Sequence, residues 1–192
     1  MIPGGAWFFF NFWTTTRGER PKFRLEALEF FWFWYLYVEK TPSVTGCICI
    51  KCRRIGDSEK VLCIMYERTT RYFNYPGGMQ SYTDEEAKKA YERIVRSHKK
   101  MPFFFKPKHS GTMSEELKFH RPSEAVTVKK LKEARGEVIE NSDGEFLDSS
   151  ISYRATVNLA FDGQILGTYV MDECAKIPHY KMDIRLQYDN IR

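Results

Sequence analysis

The sequence has no apolar run long enough to cross a bilayer. Its main apolar run, Phe30–Val38, contains nine consecutive apolar residues, whereas a spanning helix needs about 20. The first residues, Met1–Trp13, contain no basic residue and no small-residue cleavage pattern follows them. We therefore expect no signal peptide and no membrane partner.

The sequence lacks the high, even cysteine content of a disulfide scaffold, since its cysteines are odd in number and of ordinary abundance. Five cysteines in 192 residues do not form the even framework of a secreted disulfide scaffold, so the sequence predicts a reducing, intracellular compartment.

Four of the five cysteines form the one group with metal-ligand chemistry: Cys47, Cys49, Cys52 and Cys63. Alternation with isoleucine in a predicted strand would turn Cys47 and Cys49 to one face and Cys52 to the other. We expect small buried hydrophobic residues here and no metal or cofactor, with a zinc site as the alternative.

Recognisable catalytic patterns are also missing. No phosphate-binding or dinucleotide-binding glycine motif surrounds Gly77 and Gly78. None of the four histidines lies beside a serine, cysteine or acidic partner in a catalytic arrangement; they are His98, His109, His120 and His179. The sequence therefore predicts a protein that is not an enzyme, and an enzyme with a dispersed site is the third-ranked interpretation.

Aromatic residues, by contrast, are abundant at 16%, which favours β structure. Trp7–Trp13 is predicted to be a short buried strand. The alternation from Phe23 gives way to the apolar run Phe30–Val38, which predicts a strand that passes into the interior. Val44–Arg53 and Val61–Arg71 are predicted to be two strands joined by a turn at residues 56–58.

The C-terminal third alternates apolar and polar residues with a period of two. Three strands are predicted there: Ile151–Phe161, Ile165–Met171 and Tyr180–Tyr188. Phe103–Phe105 is predicted to be a further short strand. Residues 109–123 are predicted to be a loop with a helical turn at 114–119, and residues 125–134 fit a strand or a helix equally.

One helix is predicted, from Asp84 to about Lys99. Thr83 is a suitable N-cap, and Glu86 stands at the third helical position of a capping box. Acidic residues open the segment and basic residues close it, as the helix dipole favours. Pro102 ends the helix.

Strands that follow strands, with one helix between them, favour a mainly β fold. The prediction is a single β-rich domain over residues 1–192, an antiparallel β-sandwich of jelly-roll type with one inserted amphipathic helix. An α+β fold with an antiparallel sheet is the alternative.

The strongest charge feature surrounds the end of the predicted helix. It contains six basic residues and no acidic one from residue 93 to residue 109: Arg93, Arg96, Lys99, Lys100, Lys106 and Lys108. Phe103–Phe105 lies among them. Basic residues interleaved with aromatic rings predict nucleic-acid binding. The alternative is that the basic residues are the ordinary positive charges of a helix C-terminus and that the phenylalanines belong to the core.

Three segments resemble the single jelly-roll coat proteins of small circovirus-like single-stranded DNA viruses. Phe23–Phe30 resembles an early strand of those proteins. Phe103–Lys108 is similar to their aromatic-Lys-Pro-Lys segment, and Gly167–Met171 with Tyr180–Tyr188 resembles their last two strands. The family usually begins with an Arg-rich arm, of which only a short basic stretch is present here: Arg17, Arg20, Lys22 and Arg24.

This resemblance implies a self-assembling, capsid-like subunit that forms a homo-oligomer, contacts single-stranded nucleic acid through its basic residues, and resides in a virion. The alternative is a small virus- or phage-encoded binding or inhibitor protein. It would act on a nucleic-acid-handling machine of the host, through nucleic acid or through an acidic protein surface.

Overall fold

The computed structural model describes residues 2–50, 56–109, 112–119, 147–154, 157 and 160–176. Of these residues, 45% are helical and 12% lie in strands. They form four α-helices around a single four-stranded mixed sheet. The predicted antiparallel β-sandwich is therefore wrong, and the antiparallel sheet of the α+β alternative is not observed either.

The sheet has the strand order β2-β3-β1-β4, where β1 is Gly77–Gln80, β2 is Glu116–Phe119, β3 is Ser149–Tyr153 and β4 is Thr168–Met171. The central strand β1 runs parallel to both β3 and β4, and β2 pairs with β3 antiparallel. Parallel neighbours need long crossover connections, and helices provide part of them here.

Two helices cover one face of this sheet. Helix α3 (Asp57–Arg71) contacts β1, β3 and β4, and helix α4 (Asp84–Lys100) contacts β1 and β3. The ring of Phe119 on β2 lies 6.2 Å from Tyr66 of α3 and 5.7 Å from His98 of α4. Both helices therefore pack on the same side of the sheet.

Helix α3 replaces the strand predicted at Val61–Arg71. Its buried residues include Leu62, Met65, Tyr66 and Thr69, which recur at the three- and four-residue spacing of a helix. Apolar residues at 61, 63 and 65 also match a period of two, so the pattern fits a strand as well as a helix. Fifteen residues of continuous helix exceed an ordinary strand length, and this length favours the helix.

Helix α4 confirms the one helical prediction. The Glu86 backbone N–H donates to Thr83 Oγ1 at 3.2 Å, which caps the helix as the sequence indicates. Ala87, Ala90, Tyr91 and Ile94 are buried on its inner face. The cap and the apolar stripe agree with each other, so local sequence determines this element.

Both aromatic runs at the N-terminus are helical, so their assignment as buried strands is wrong. The first forms helix α1 (Gly4–Phe12), and the second forms helix α2 (Leu25–Phe33) followed by a π-helical segment (Trp34–Glu39). Helices α1 and α2 pack closely, because a Cβ at Gly5 would lie 3.3 Å from the ring of Phe31. Aromatic residues favour strands through packing on a pleated surface, and here a helical partner replaces that surface.

Three other predicted elements differ from the structure. Phe103–Phe105 is a 3-10 turn, and the predicted helical turn at 114–119 contains strand β2. Strand β3 ends at Tyr153 instead of continuing to Phe161, and β4 begins at Thr168. Each of these strands is short, which shows that period-two alternation extended the predictions beyond the pairing.

The remaining predicted strands are either absent from the described residues or lie outside them. Residues 44–50 form neither helix nor strand, and the end of Val44–Arg53 lies outside the described residues. Tyr180–Tyr188 and residues 125–134 also lie outside them. Within the described part of the chain, no helix combines the length and apolar character required to cross a membrane.

Candidate nucleic-acid interface

The C-terminal end of α4 forms a basic edge beside an aromatic turn. Lys99 and Lys100 are exposed there, while Met101, just beyond the helix, is buried and anchors the chain. The Phe105 backbone N–H donates to the Pro102 carbonyl at 3.0 Å, which forms the 3-10 turn. The turn therefore projects from the end of the helix, next to its last basic residues.

The three phenylalanines of this turn differ in their surroundings. Phe105 packs against α1, with its ring centroid 4.6 Å from Phe12 and 6.2 Å from Trp7. Phe104 is 65% exposed and Phe103 is 88% exposed. Phe105 anchors the turn, and the two rings before it in the chain are exposed to solvent.

A second basic segment is held against α4. The Arg96 guanidinium donates to the Thr16 carbonyl at 2.6 Å, and Lys100 Nζ donates to the Gly18 carbonyl at 3.0 Å. Gly18 has a positive φ of 82°, a conformation that glycine adopts without strain, and this closes a tight turn. The exposed side chain of Arg17 lies between these two tethered residues.

These segments together form what we call the basic–aromatic surface. Its members are Arg17, Arg20, Lys99, Lys100, Lys106, Lys108, Phe103 and Phe104. Lys106 Nζ donates to the Lys99 carbonyl at 3.3 Å, which holds the chain after the turn against the helix end. Among the described residues, no carboxylate pairs with the four lysines of this surface. Glu19 is the one acidic residue within the tethered loop.

Two histidines, His98 and His109, adjoin the basic–aromatic surface, with their ring centroids 5.4 Å apart. His98 is fully buried, and its Nδ1 lies 3.0 Å from the Tyr66 hydroxyl. Burial, followed by repulsion from Lys106 and from the protonated form of His109, lowers the pKa of His98 to about 4. Burial, Lys106 and Lys99 also lower the pKa of His109. Both imidazoles are therefore held neutral near pH 7.

The structure places the six predicted binding residues in two groups. Lys99, Lys100, Lys106 and Lys108 belong to the basic–aromatic surface. Arg93 instead faces Glu59 of α3, with Nε 4.0 Å from Oε1. Arg96 holds the Thr16 carbonyl and so positions the loop. The surface predicted from the basic segment is thus reduced to four of its six residues.

Sequence reasoning missed two contributors to this surface. Arg17 and Arg20 are about 80 residues from α4 in the chain, and only the tethers from Arg96 and Lys100 bring them together. Trp7, assigned to a buried strand, is 47% exposed beside Phe105. The basic stretch at residues 17–24 was the available signal, but nothing local linked it to α4.

The cysteines do not assemble a metal site within the described residues. The sulfurs of Cys47 and Cys49 are 3.9 Å apart, whereas Cys63 is fully buried in α3. Cys52 lies outside the described residues. Burial, together with Cys49, raises the pKa of Cys47 to about 11, so this thiol is protonated and a poor ligand or nucleophile near neutral pH.

Comparisons with family models and with curated proteins give no relative from which a function could be transferred. No family model matches the sequence, and no curated protein is significantly similar to it. The functional argument therefore depends on the basic–aromatic surface itself.

Proposed function

We propose that this protein is a binding module for single-stranded nucleic acid, and that the basic–aromatic surface is its binding site. The observation that carries the proposal is the exposure of Phe103 and Phe104, at 88% and 65%, between lysines on both sides in the chain. Two adjacent phenylalanine rings are seldom left in water without a ligand to cover them.

The chemistry of the surface matches the two parts of a single strand. Lys99, Lys100, Lys106 and Lys108, with Arg17, would neutralise phosphates. The rings of Phe103 and Phe104 would stack on bases, and each stacked base contributes about 1–3 kcal/mol. Base pairs in a duplex are already stacked and cannot receive these rings, so the proposal specifies an unpaired strand.

The coat-protein hypothesis stays a prediction with a weaker basis. Its fold premise, the jelly-roll sandwich, is wrong for the described residues. Phe23–Phe30, assigned to an early strand of that fold, contains the start of helix α2. The inhibitor hypothesis is compatible with the proposal, because such a protein could meet nucleic acid at this same surface.

The test is a binding titration followed by fluorescence anisotropy, with a labelled single strand of about 20 nucleotides and a duplex of equal length. The unpaired strand is expected to bind at least tenfold more tightly than the duplex. With three to four phosphates neutralised, the logarithm of affinity should fall against the logarithm of salt with a slope of about −2 to −3.

Two matched pairs of charge reversals test whether binding depends on this surface or only on the overall positive charge of the protein. The double variant Lys99→Glu and Lys108→Glu changes two exposed lysines of the surface, and Lys88→Glu with Lys89→Glu changes two exposed lysines on α4 far from its C-terminus. The first pair should weaken binding at least 30-fold, and the second less than threefold. Equal losses would contradict the proposed site.

A further double variant tests the stacking rings. Phe103→Ala with Phe104→Ala should weaken single-strand binding about 10- to 100-fold, consistent with the loss of one to two stacked bases, while leaving the salt slope unchanged. The proposal would be overturned if the parent protein bound no oligonucleotide but did bind anionic vesicles, and if this double variant lost the vesicle binding. That outcome would assign the surface to membrane contact instead.

A further inference from the structure

We propose that the outward face of helix α2 and its π-helical extension is the contact between two copies of this chain, packed antiparallel about a twofold axis. We call it the α2 outer face, and define it by Leu25, Glu29, Phe33, Leu36, Tyr37 and Lys40. This inference is independent of the proposed nucleic-acid function, because it concerns a different surface.

The burial pattern of α2 defines the face. Ala27 and Phe31, four residues apart, are buried against the rest of the protein. The opposite side of the helix carries Leu25, Glu29 and Phe33 at the same four-residue spacing. All three are exposed, so this helix presents apolar residues on the side that faces solvent.

The π-helical extension continues the face. Leu36 and Tyr37 are 47% and 58% exposed, and the ring of Tyr37 packs 5.3 Å from that of Phe33. No residue of this extension is buried. Its apolar residues are therefore available to a partner without any rearrangement of the core.

The exposed area is of the size that a dimer requires. Leu25, Phe33, Leu36 and Tyr37 are between 44% and 61% exposed, and with side chains of roughly 200 Å² they offer about 400 Å² per copy. A standard interface buries about 800 Å² per partner, of which a little over half is apolar. These four residues therefore supply almost all the apolar part, and neighbouring polar residues supply a rim.

The charged residues of the α2 outer face indicate that its binding partner is a second copy of the chain, and that the two copies pack antiparallel. Exposed Glu29 and Lys40 flank the apolar residues Phe33, Leu36 and Tyr37 in the chain, and the midpoint between the two charges falls at residues 34–35. Antiparallel packing about that midpoint brings each Glu29 opposite Lys40 of the other copy. Parallel packing would instead place Glu29 opposite Glu29, and opposing like charges are destabilising.

The same charges argue against a lipid surface at this face. Helices that lie on anionic bilayers carry lysine and arginine beside their apolar residues. The α2 outer face carries one acidic and one basic residue, Glu29 and Lys40, so it lacks the excess of cationic side chains that binds an anionic headgroup layer. A second copy satisfies both the apolar residues and the alternation of charge.

Sedimentation equilibrium over about 0.5–200 μM tests the inference. The 22.7 kDa chain should populate a species of twice its mass, and Phe33→Ser with Tyr37→Ser should raise the dissociation constant at least 100-fold. Circular dichroism of this variant should match the parent protein, since neither side chain belongs to the buried core. A parent protein that is monomeric throughout the range would overturn the proposal.

A charge-swap cycle tests the direction of packing. Glu29→Lys and Lys40→Glu should each weaken dimerisation at least tenfold, and the double variant should restore it to within threefold of the parent. Glu92→Lys, which makes the same charge change at an exposed position of α4, should have little effect. Single swaps without effect, or a double variant without rescue, would overturn antiparallel pairing through this face.

Discussion

The two aromatic runs near the N-terminus, residues 6–13 and 30–38, have almost the same composition and opposite environments. In the first run Ala6, Phe8, Phe9 and Trp13 are buried. In the second, only Phe31 is buried, and the rings that follow it are exposed or half-buried. Composition alone therefore does not place a segment in the core.

Partners explain the difference. The first run packs on α3, where Phe8 stacks 6.2 Å from Tyr66 and the Trp13 indole donates to Glu59 Oε2 at 2.8 Å. The second run has α1 and the Lys60 and Arg68 side chains of α3 on one side, and solvent on the other. An aromatic run is thus a core element only on the side where the fold supplies a surface, and its other side is available for interaction.

The largest expected effect comes from removing the anchor of the first run. Trp13→Ala should lower the free energy of unfolding by about 3–5 kcal/mol, because it deletes a fully buried indole and leaves a cavity. Trp32→Ala, in the second run, is the matched control; its indole is half-buried, so the cost should be smaller, about 1–2 kcal/mol. Denaturant unfolding of both variants measures the contrast, and equal costs would break the comparison.

Acid should destabilise the fold through His98, which is buried beside Tyr66, the residue on which the first run packs. The pKa of His98 is lowered to about 4 from an unfolded value near 6.5, so the unfolded chain takes up the proton first as the pH falls. The stabilising contribution is complete above pH 6.5 and is lost progressively towards pH 4. At pH 5 the loss should be about 2 kcal/mol, measured as a shift in the urea midpoint.

The control for this pH dependence keeps a polar partner for Tyr66. His98→Gln retains a group that can hydrogen-bond the Tyr66 hydroxyl but does not titrate. The part of the pH dependence that belongs to His98 should disappear in this variant. An unchanged difference between pH 7.5 and pH 5 would show that the buried imidazole is not its source.

A smaller loss of stability is expected when a tether of the loop that follows the first run is removed. Arg96→Ala removes the donor to the Thr16 carbonyl and should cost about 1 kcal/mol, as expected for one partly exposed hydrogen bond from a charged group. Amide hydrogen exchange should increase across residues 15–19. Exchange that remains as slow as in the parent would mean that Ser97, which accepts the Thr14 N–H at 3.1 Å, holds the loop without Arg96.

The smallest effect is expected on the exposed side of the second run. Tyr37→Ser should change the stability of the monomer by less than about 0.5 kcal/mol, since most of the ring is already in water. The measurement requires protein below the dimerisation range, where a shared interface adds no stability. A cost above 2 kcal/mol would place Tyr37 in the core and remove the basis of the α2 outer face.

The predictability of the fold followed the strength of local signals. Helix α4 was predicted correctly because its cap, charge gradient and apolar stripe agree within 17 residues. Helix α3 was not, because apolar residues at 61–66 satisfy both a period of two and a period of 3.6. The aromatic content of the α1 and α2 segments indicates β structure, and this prediction is wrong because the rings pack between helices instead of on a pleated sheet.

The candidate site was partly predictable for the same reason. Lys99, Lys100, Lys106 and Lys108 lie close in sequence around the helix end, so their clustering was visible in the chain itself. Arg17 and Arg20 join them only through long-range hydrogen bonds. The exposure of Phe103 and Phe104 could not be predicted, because the same residues would serve equally well as core.

The sequence by itself determined where charge and aromatic rings lie along the chain, and where α4 begins and ends, because capping and charge act within a few residues. Only the tertiary structure decided which rings are buried. Burial depends on whether another element covers a given side, and α3 covers Phe8 and Trp13. Among the described residues, no comparable surface covers Phe33 and Tyr37, which makes one aromatic run part of the core and the other a surface for recognition.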